Sequence, residues 1–172
     1  MKYLKISVIA VVLLLALVFS GCGAKFNLNF IVDGEVYEAV RTRQNKEIEL
    51  PKSPTKDNYT FDGWYLDKDI WQKPFDSDSL LGTSNSDDIN VYAKWRPNIV
   101  KIEFDLAGGS LSLSSINAHY GEKIGALPTP TKPYYVFTGW VDKNGNPITI
   151  DTPVTEDMTC ITATWKLNLP QE

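Results

Sequence analysis

The chain has 172 residues, with 21 acidic against 17 basic side chains and 12% aromatic residues, a size that suits one ordinary domain or two small ones. Lys2 and Lys5 are the only charged residues before Cys22, so the chain from Cys22 onward holds 21 acids against 15 bases, a net charge of −6. An acidic surface repels phosphate backbones, which argues against nucleic acid as a partner.

The first stretch, "MKYLKISVIAVVLLLALVFSGCG", places two lysines before an unbroken apolar run and then the small residues Ser20 and Gly21. This is the layout of a cleaved secretory signal peptide, and its apolar run is short for a membrane span, which needs about 20 residues. The segment "FSGC" resembles the lipobox of bacterial lipoproteins, with Phe19 standing where that motif usually has Leu. The resemblance implies that residues 1–21 are removed and that Cys22 is acylated and becomes the N-terminus on the extracytoplasmic face of the cell membrane. The plainer alternative is a secreted protein in which Cys22 is incidental. Cys22 and Cys160 are the only cysteines. If Cys22 is acylated, Cys160 is left single, and "MTCITATW" reads as a strand that holds a small residue.

Beyond a linker at 22–25, the chain repeats itself. "PTKDNYTFDGW" (54–64) and "PTKPYYVFTGW" (130–140) share seven of eleven residues, 76 positions apart. Upstream, "IELP" (48–51) faces "GALP" (125–128), and downstream "VYAKW" (91–95) faces "ITATW" (161–165). Each copy opens on an alternating run. In the first, Phe26, Leu28, Phe30 and Val32 alternate with Asn27, Asn29 and Ile31. In the second, Val100, Ile102, Phe104 and Leu106 alternate with Lys101, Glu103 and Asp105. Alternation of period two predicts half-buried strands. Asp33-Gly34 predicts a tight hairpin, "LAGGSL" (106–111) a looser one, and "NGN" (144–146) a third. The proline-rich stretches at 50–56 and 127–132 exclude central strands. Short helical turns are expected at most in "NKEIEL" (45–50) and "GEKIGAL" (121–127). The expected unit is a small antiparallel sheet with one crossover, in a first copy at 26–96 and a second at 97–169, with 170–172 as a tail.

The same residues resemble the Listeria–Bacteroides repeat, the B repeat of listerial internalins, through "F-x-G-W" and the closing "A-x-W". The resemblance implies an α+β, mostly β fold of two tandem β-grasp-like modules, found as repeated extracellular units on bacterial surface proteins. No enzymatic activity and no fixed ligand come with it. The first copy departs by a longer insertion, "WQKPFDSDSLLGTSNSDD", whose polar part reads as a loop.

Phe61, Gly63, Trp64 and Trp95 in the first copy, and Phe137, Gly139, Trp140 and Trp165 in the second, are expected to close each module's core, since a unit this small must bury its large rings. Gly63 and Gly139 either take a positive φ or let the ring approach the backbone. The competing reading is a sugar-stacking platform. Trp71 has no counterpart in the second copy and is the candidate partner-binding residue, unless it packs under its own loop.

Chemistry is sparse elsewhere. His119 is a lone histidine without metal or triad spacing and reads as a surface strand residue. "DKNGN" (142–146) fails as a calcium loop, because Pro147 and Pro153 stand where Gly and Glu are required. The acidic loop at 76–88 reads as solvated, with a weak cation as the alternative. No catalytic residue, metal or cofactor is expected. The functional expectation is a non-catalytic, lipid-anchored envelope protein whose repeats bind or space. Its expected partners are the membrane and an envelope or surface protein or polysaccharide. A surface adhesin is the alternative, and an envelope enzyme or a solute-binding lipoprotein is a further one.

Overall fold

The computed structural model describes residues 25–81 and 87–169, so the signal segment, Cys22, part of the acidic loop and the tail lie outside the described residues. Backbone contacts group the chain into two compact units. Among the described residues, the first takes those up to Lys52 with those of 63–93, and the second takes Ser53–Asp62 with those from Lys94 onward.

The first alternating run forms β1 (Lys25–Val32), whose Phe26, Leu28 and Phe30 are buried. Asp33 and Gly34 both adopt positive φ, 51° and 94°, and return the chain as β2 (Glu35–Arg43), with Val32 opposite Glu35. Two consecutive residues at positive φ make the type I′ geometry that Asp-Gly tolerates. β3 (Tyr59–Tyr65), the two-residue β4 (Pro74–Phe75) and β5 (Ile89–Pro97) complete a sheet of order β2-β1-β5-β3-β4. The second sheet repeats this order as β7-β6-β10-β8-β9, from β6 (Ile99–Asp105), β7 (Ser115–His119), β8 (Tyr135–Val141), β9 (Pro147–Ile148) and β10 (Cys160–Leu167).

Two expectations need correction. Each sheet is mixed, not antiparallel: β1 runs parallel to β5, with Phe30 opposite Val91, and β6 runs parallel to β10, with Phe104 opposite Ile161. In addition, the described residues contain no helix, so the fold is all-β and not α+β. Both helical candidates are broken by their own backbone. Asn45 has φ 52°, and Gly121 and Gly125 both have φ 76°.

Pairing with distant chain replaces the helix. In the first copy, Asn45 N–H donates to Leu80 O and Ile48 N–H to Ser77 O. In the second, Gly121, Ile124 and Gly125 donate to Val154, Thr152 and Ile150, and Val154 donates back to Glu122. These bonds satisfy backbone groups that a helix would otherwise have to pair internally. The prolines nearby, Pro51 and Pro128 among them, lack the donor that a helix interior needs. Ile48 and Ile124, which belong to these straps, are buried.

Candidate functional site

In the second copy, "F-x-G-W" is a β-bulge. Along β8 and β10, Thr164 faces Gly139 while Trp165 faces Phe137, so Thr138 and Gly139 together oppose Thr164. Gly139 carries this with φ 143°, and no atom lies within 4 Å of the place its Cβ would take. The glycine therefore supplies backbone freedom, not space for the ring. In an unbroken strand, residues three apart point to opposite faces. The extra residue brings Phe137 and Trp140 onto one face, with ring centroids 5.4 Å apart. Gly63 in the first copy also takes a positive φ, at 108°.

Trp64 and Trp140 are buried, at 4% and 3% exposure. Trp64 meets Phe30 edge-on at 4.8 Å. Trp140 packs on Phe104 at 4.8 Å, and its indole N–H donates to Pro128 O at 2.9 Å. Phe61 and Trp95 are half-buried against each other at 5.7 Å, as are Phe137 and Trp165 at 5.6 Å. Over each of the last tryptophans lies the lysine of the repeated "PTK". Lys56 Nζ is 5.7 Å from the Trp95 ring, and Lys132 Nζ is 5.7 Å from the Trp165 ring. A cation over the π face is attracted to it while its stem covers apolar surface. The rings thus sit partly roofed rather than forming an open flat platform. The two tryptophans differ at nitrogen: Trp165 N–H donates to Leu106 O at 3.0 Å, while among the described residues the buried Trp95 Nε1 has no partner.

Sequence reasoning missed two further residues of this architecture. Gly109 sits where a Cβ would come within 2.5 Å of Trp165 Cζ2, and only the "GG" doublet hinted at it. Tyr134 takes φ 64° where the first copy has Asn58 at φ 63°.

The conspicuous carboxylates are taken up by structural hydrogen bonds, most of them within their own turns. Asp142 accepts from Asn144 N–H, Asn146 N–H and the Asn146 amide, and the Asn146 side-chain bond does most to hold its pKa below the ordinary 3.8. Asp76 accepts from Asp78 N–H and the Ser79 hydroxyl. Asp88 accepts from the backbone and side-chain N–H of Asn27, which lower its pKa in that order. Among the described residues no group of three or more His, Cys, Asp or Glu is placed to hold a metal ion. His119 is exposed on β7 opposite Ile99, and Cys160 is exposed at the start of β10. A polar cleft of about 450 Å³ lies between β2 and the strap, lined by Glu38, Arg41, Lys46, Glu49 and neighbouring residues.

Trp71 lies in the β3–β4 loop and differs from the other tryptophans. Its φ is 56°, a region bulky residues rarely occupy. Asp67 enforces it: its carboxylate accepts from Gln72 N–H at 2.9 Å and Lys73 N–H at 3.0 Å, and its carbonyl accepts from Trp71 N–H at 3.1 Å. Desolvation pushes the Asp67 pKa up, and those backbone donors outweigh it, so the net shift is downward. Trp71 is half-buried edge-on against Tyr65 at 5.7 Å, beside Ile70, which is 64% exposed. Trp71 therefore packs on the base of its own loop and keeps part of its surface open.

The profile of the Listeria-Bacteroides repeat domain matches residues 26–94 and 101–161. Internalin H of Listeria monocytogenes is 35% identical over 114 residues, covering 66% of this chain and 19% of that protein. A protein of Evansella cellulosilytica, provisionally named a membrane protein, is 33% identical over 124 residues, 70% of this chain and 18% of that one. A second Evansella protein, provisionally named a Gly-rich membrane protein, is 32% identical over 110 residues, 62% and 12% of the two chains. The chain thus spans less than a fifth of each of these relatives. With both copies matched across most of their strands, the chain belongs to the Listeria-Bacteroides repeat family.

Proposed function

We propose that this is a non-catalytic, lipid-anchored protein of the bacterial cell envelope, held by Cys22, whose two repeats bind or space at the extracytoplasmic face. The observation that carries the reading is the pairing of "FSGC" after an apolar signal segment with two repeats that belong to a family with relatives named internalin and membrane protein. The use of Asp142, Asp76 and Asp67 to lock turns, and of Asp88 to hold β1 through Asn27, supports a scaffold over an enzyme. The strand order, with its parallel central pair, supports a β-grasp-like module in which the proline-bearing strap takes the place of a helix.

Only Gly23 and Ala24 separate Cys22 from Lys25, where β1 begins, a reach of roughly 10 Å when extended. Such a tether keeps the first repeat at the lipid surface and favours a membrane or wall component as partner over a distant host surface. A Cys22→Ala variant is expected to leave the membrane fraction and enter the medium. Retention in the membrane after signal removal counts against the anchor. Antibody access on intact cells equal to that on wall-stripped cells favours the adhesin instead.

A further inference from the structure

The end of the first sheet that carries Trp71 is also the end at which β1 begins. Phe61 of β3 meets Trp95 of β5, while Trp64, three residues on, meets Phe30, whose strand partner is Val91. β3 therefore runs opposite to β5, and the chain leaving Tyr65 heads toward Ile89. Ile89 faces Leu28, three residues from the start of β1. The β3–β4 loop and the start of β1 at Lys25 thus lie on the same side of this sheet.

The loop is built differently from its counterpart. In the second copy, residues 142–146 read Asp-Lys-Asn-Gly-Asn, entirely polar, and close on Asp142. In the first, Leu66, Ile70 and Trp71 are added, Leu66 and Ile70 are exposed, and the turn holds Trp71 at a strained positive φ. Backbone strain of this kind persists where the surrounding structure over-determines it and often marks a functional surface. Lys68 and Lys73 flank the apolar residues and are themselves exposed. Asp67 and Asp69 balance them, so the loop carries no net charge and attraction to anionic headgroups is not its basis. An apolar tip that holds a tryptophan at its base, with long cationic stems beside it, matches the chemistry of the membrane–water interface.

We infer that the Leu66–Lys73 loop, through Ile70 and Trp71, is a second membrane contact that seats the first repeat on the lipid surface in one orientation. The inference rests on the Cys22 anchor: the contact is intramolecular in effect, because a tether of roughly 10 Å holds the loop at the bilayer and lets a weak apolar contact persist.

The test reconstitutes the mature chain, with its own Cys22 modification, into phosphatidylcholine vesicles whose acyl chains are brominated and quench tryptophan on contact. Trp71 is one of five tryptophans, so a loss of up to about a fifth of the emission is expected, and Trp71→Phe should remove most of that loss. Adding phosphatidylglycerol should leave it unchanged. An equal loss in native and Trp71→Phe chains, or none in either, overturns the inference. A parallel chain in a Cys160→Ser background is coupled through Cys22 to a maleimide lipid, so that tethering no longer depends on the cell. Quenching in the coupled chain together with an unmodified Cys22 in the cellular protein refutes the anchor while the loop contact stands. A coupled chain without quenching refutes the loop contact itself. Ile70→Ser should halve the quenching without changing the melting temperature, since Ile70 is exposed.

Discussion

Gly139→Ala isolates the energetic cost of the bulge from every packing effect. No atom lies within 4 Å of the added methyl, so the substitution acts only through φ, which stands at 143°. Holding an L-residue there costs about 1–3 kcal/mol. A unit of this size has roughly 4–10 kcal/mol of stability in all. A loss near 2 kcal/mol lowers the melting temperature by roughly 8–16 °C. Calorimetry on the whole chain, with far-UV circular dichroism to confirm an unchanged strand content, reads this directly. A second change makes the test specific. Deleting Thr138 from the Gly139→Ala chain removes the extra residue that opposes Thr164. Phe137 and Trp140 are then separated by one position, and an ordinary strand keeps them on one face. Most of the lost stability should return, less about 1 kcal/mol for the Thr138–Thr164 hydroxyl bond. A Gly139→Ala chain that melts within a degree of the native one refutes the reasoning, as does a deletion that lowers stability further.

Other substitutions separate neighbouring effects. Gly109→Ala should destabilise by about 1–3 kcal/mol through overpacking against Trp165, and a double-mutant cycle with Trp165→Phe should show coupling. Tyr134→Asn should raise stability by about 1 kcal/mol in denaturant melts, because Asn tolerates the left-handed φ and Tyr134 is 66% exposed, with little packing to lose. Trp165→Phe should cost about 1 kcal/mol more than Trp95→Phe, since only the former breaks an indole hydrogen bond; equal melting shifts contradict this. Asp142 has a folded pKa below the ordinary 3.8, so its contribution is complete above that value and is lost as pH falls through the lower folded one. Amide signals of Asn144 and Asn146 should therefore shift below pH 3.8 and stay constant between pH 5 and 7.

The alternating runs and the Asp-Gly turn were legible because each is a local property. Phe26, Leu28 and Phe30 declare a strand by spacing, and Asp33-Gly34 declares a turn by backbone tolerance. The parallel central pair was not legible, because pairing between β1 and β5 depends on residues 61 positions apart. The same holds for the bulge. "F-x-G-W" shows a glycine and two rings, but only the register against β10 reveals that Thr138 is the extra residue. The helical expectation failed for a related reason: "GEKIGAL" has local helical spacing, yet its donors bind carbonyls at 150–154. At the candidate site, the absence of a counterpart marked Trp71 from sequence alone. Its strained φ, and the Asp67 bonds that impose it, arise from a loop closed between residues six apart.

The parallel pairing of the outermost strands in sequence has a mechanical consequence. In the second copy, the chain enters through β6 and leaves through β10, adjacent strands that run the same way, with Glu103, Phe104 and Asp105 facing Cys160, Ile161 and Thr162. A pull on the two ends of that copy drags these strands past each other along their length. Every bond between them shares the load at once, whereas an antiparallel closing pair would open like a zip, one bond at a time. The hydrophobic row of Ile102, Phe104, Ile161 and Ala163 must also slide before the sheet can part. A fold that closes its first strand against its last in this way resists being drawn out from its termini.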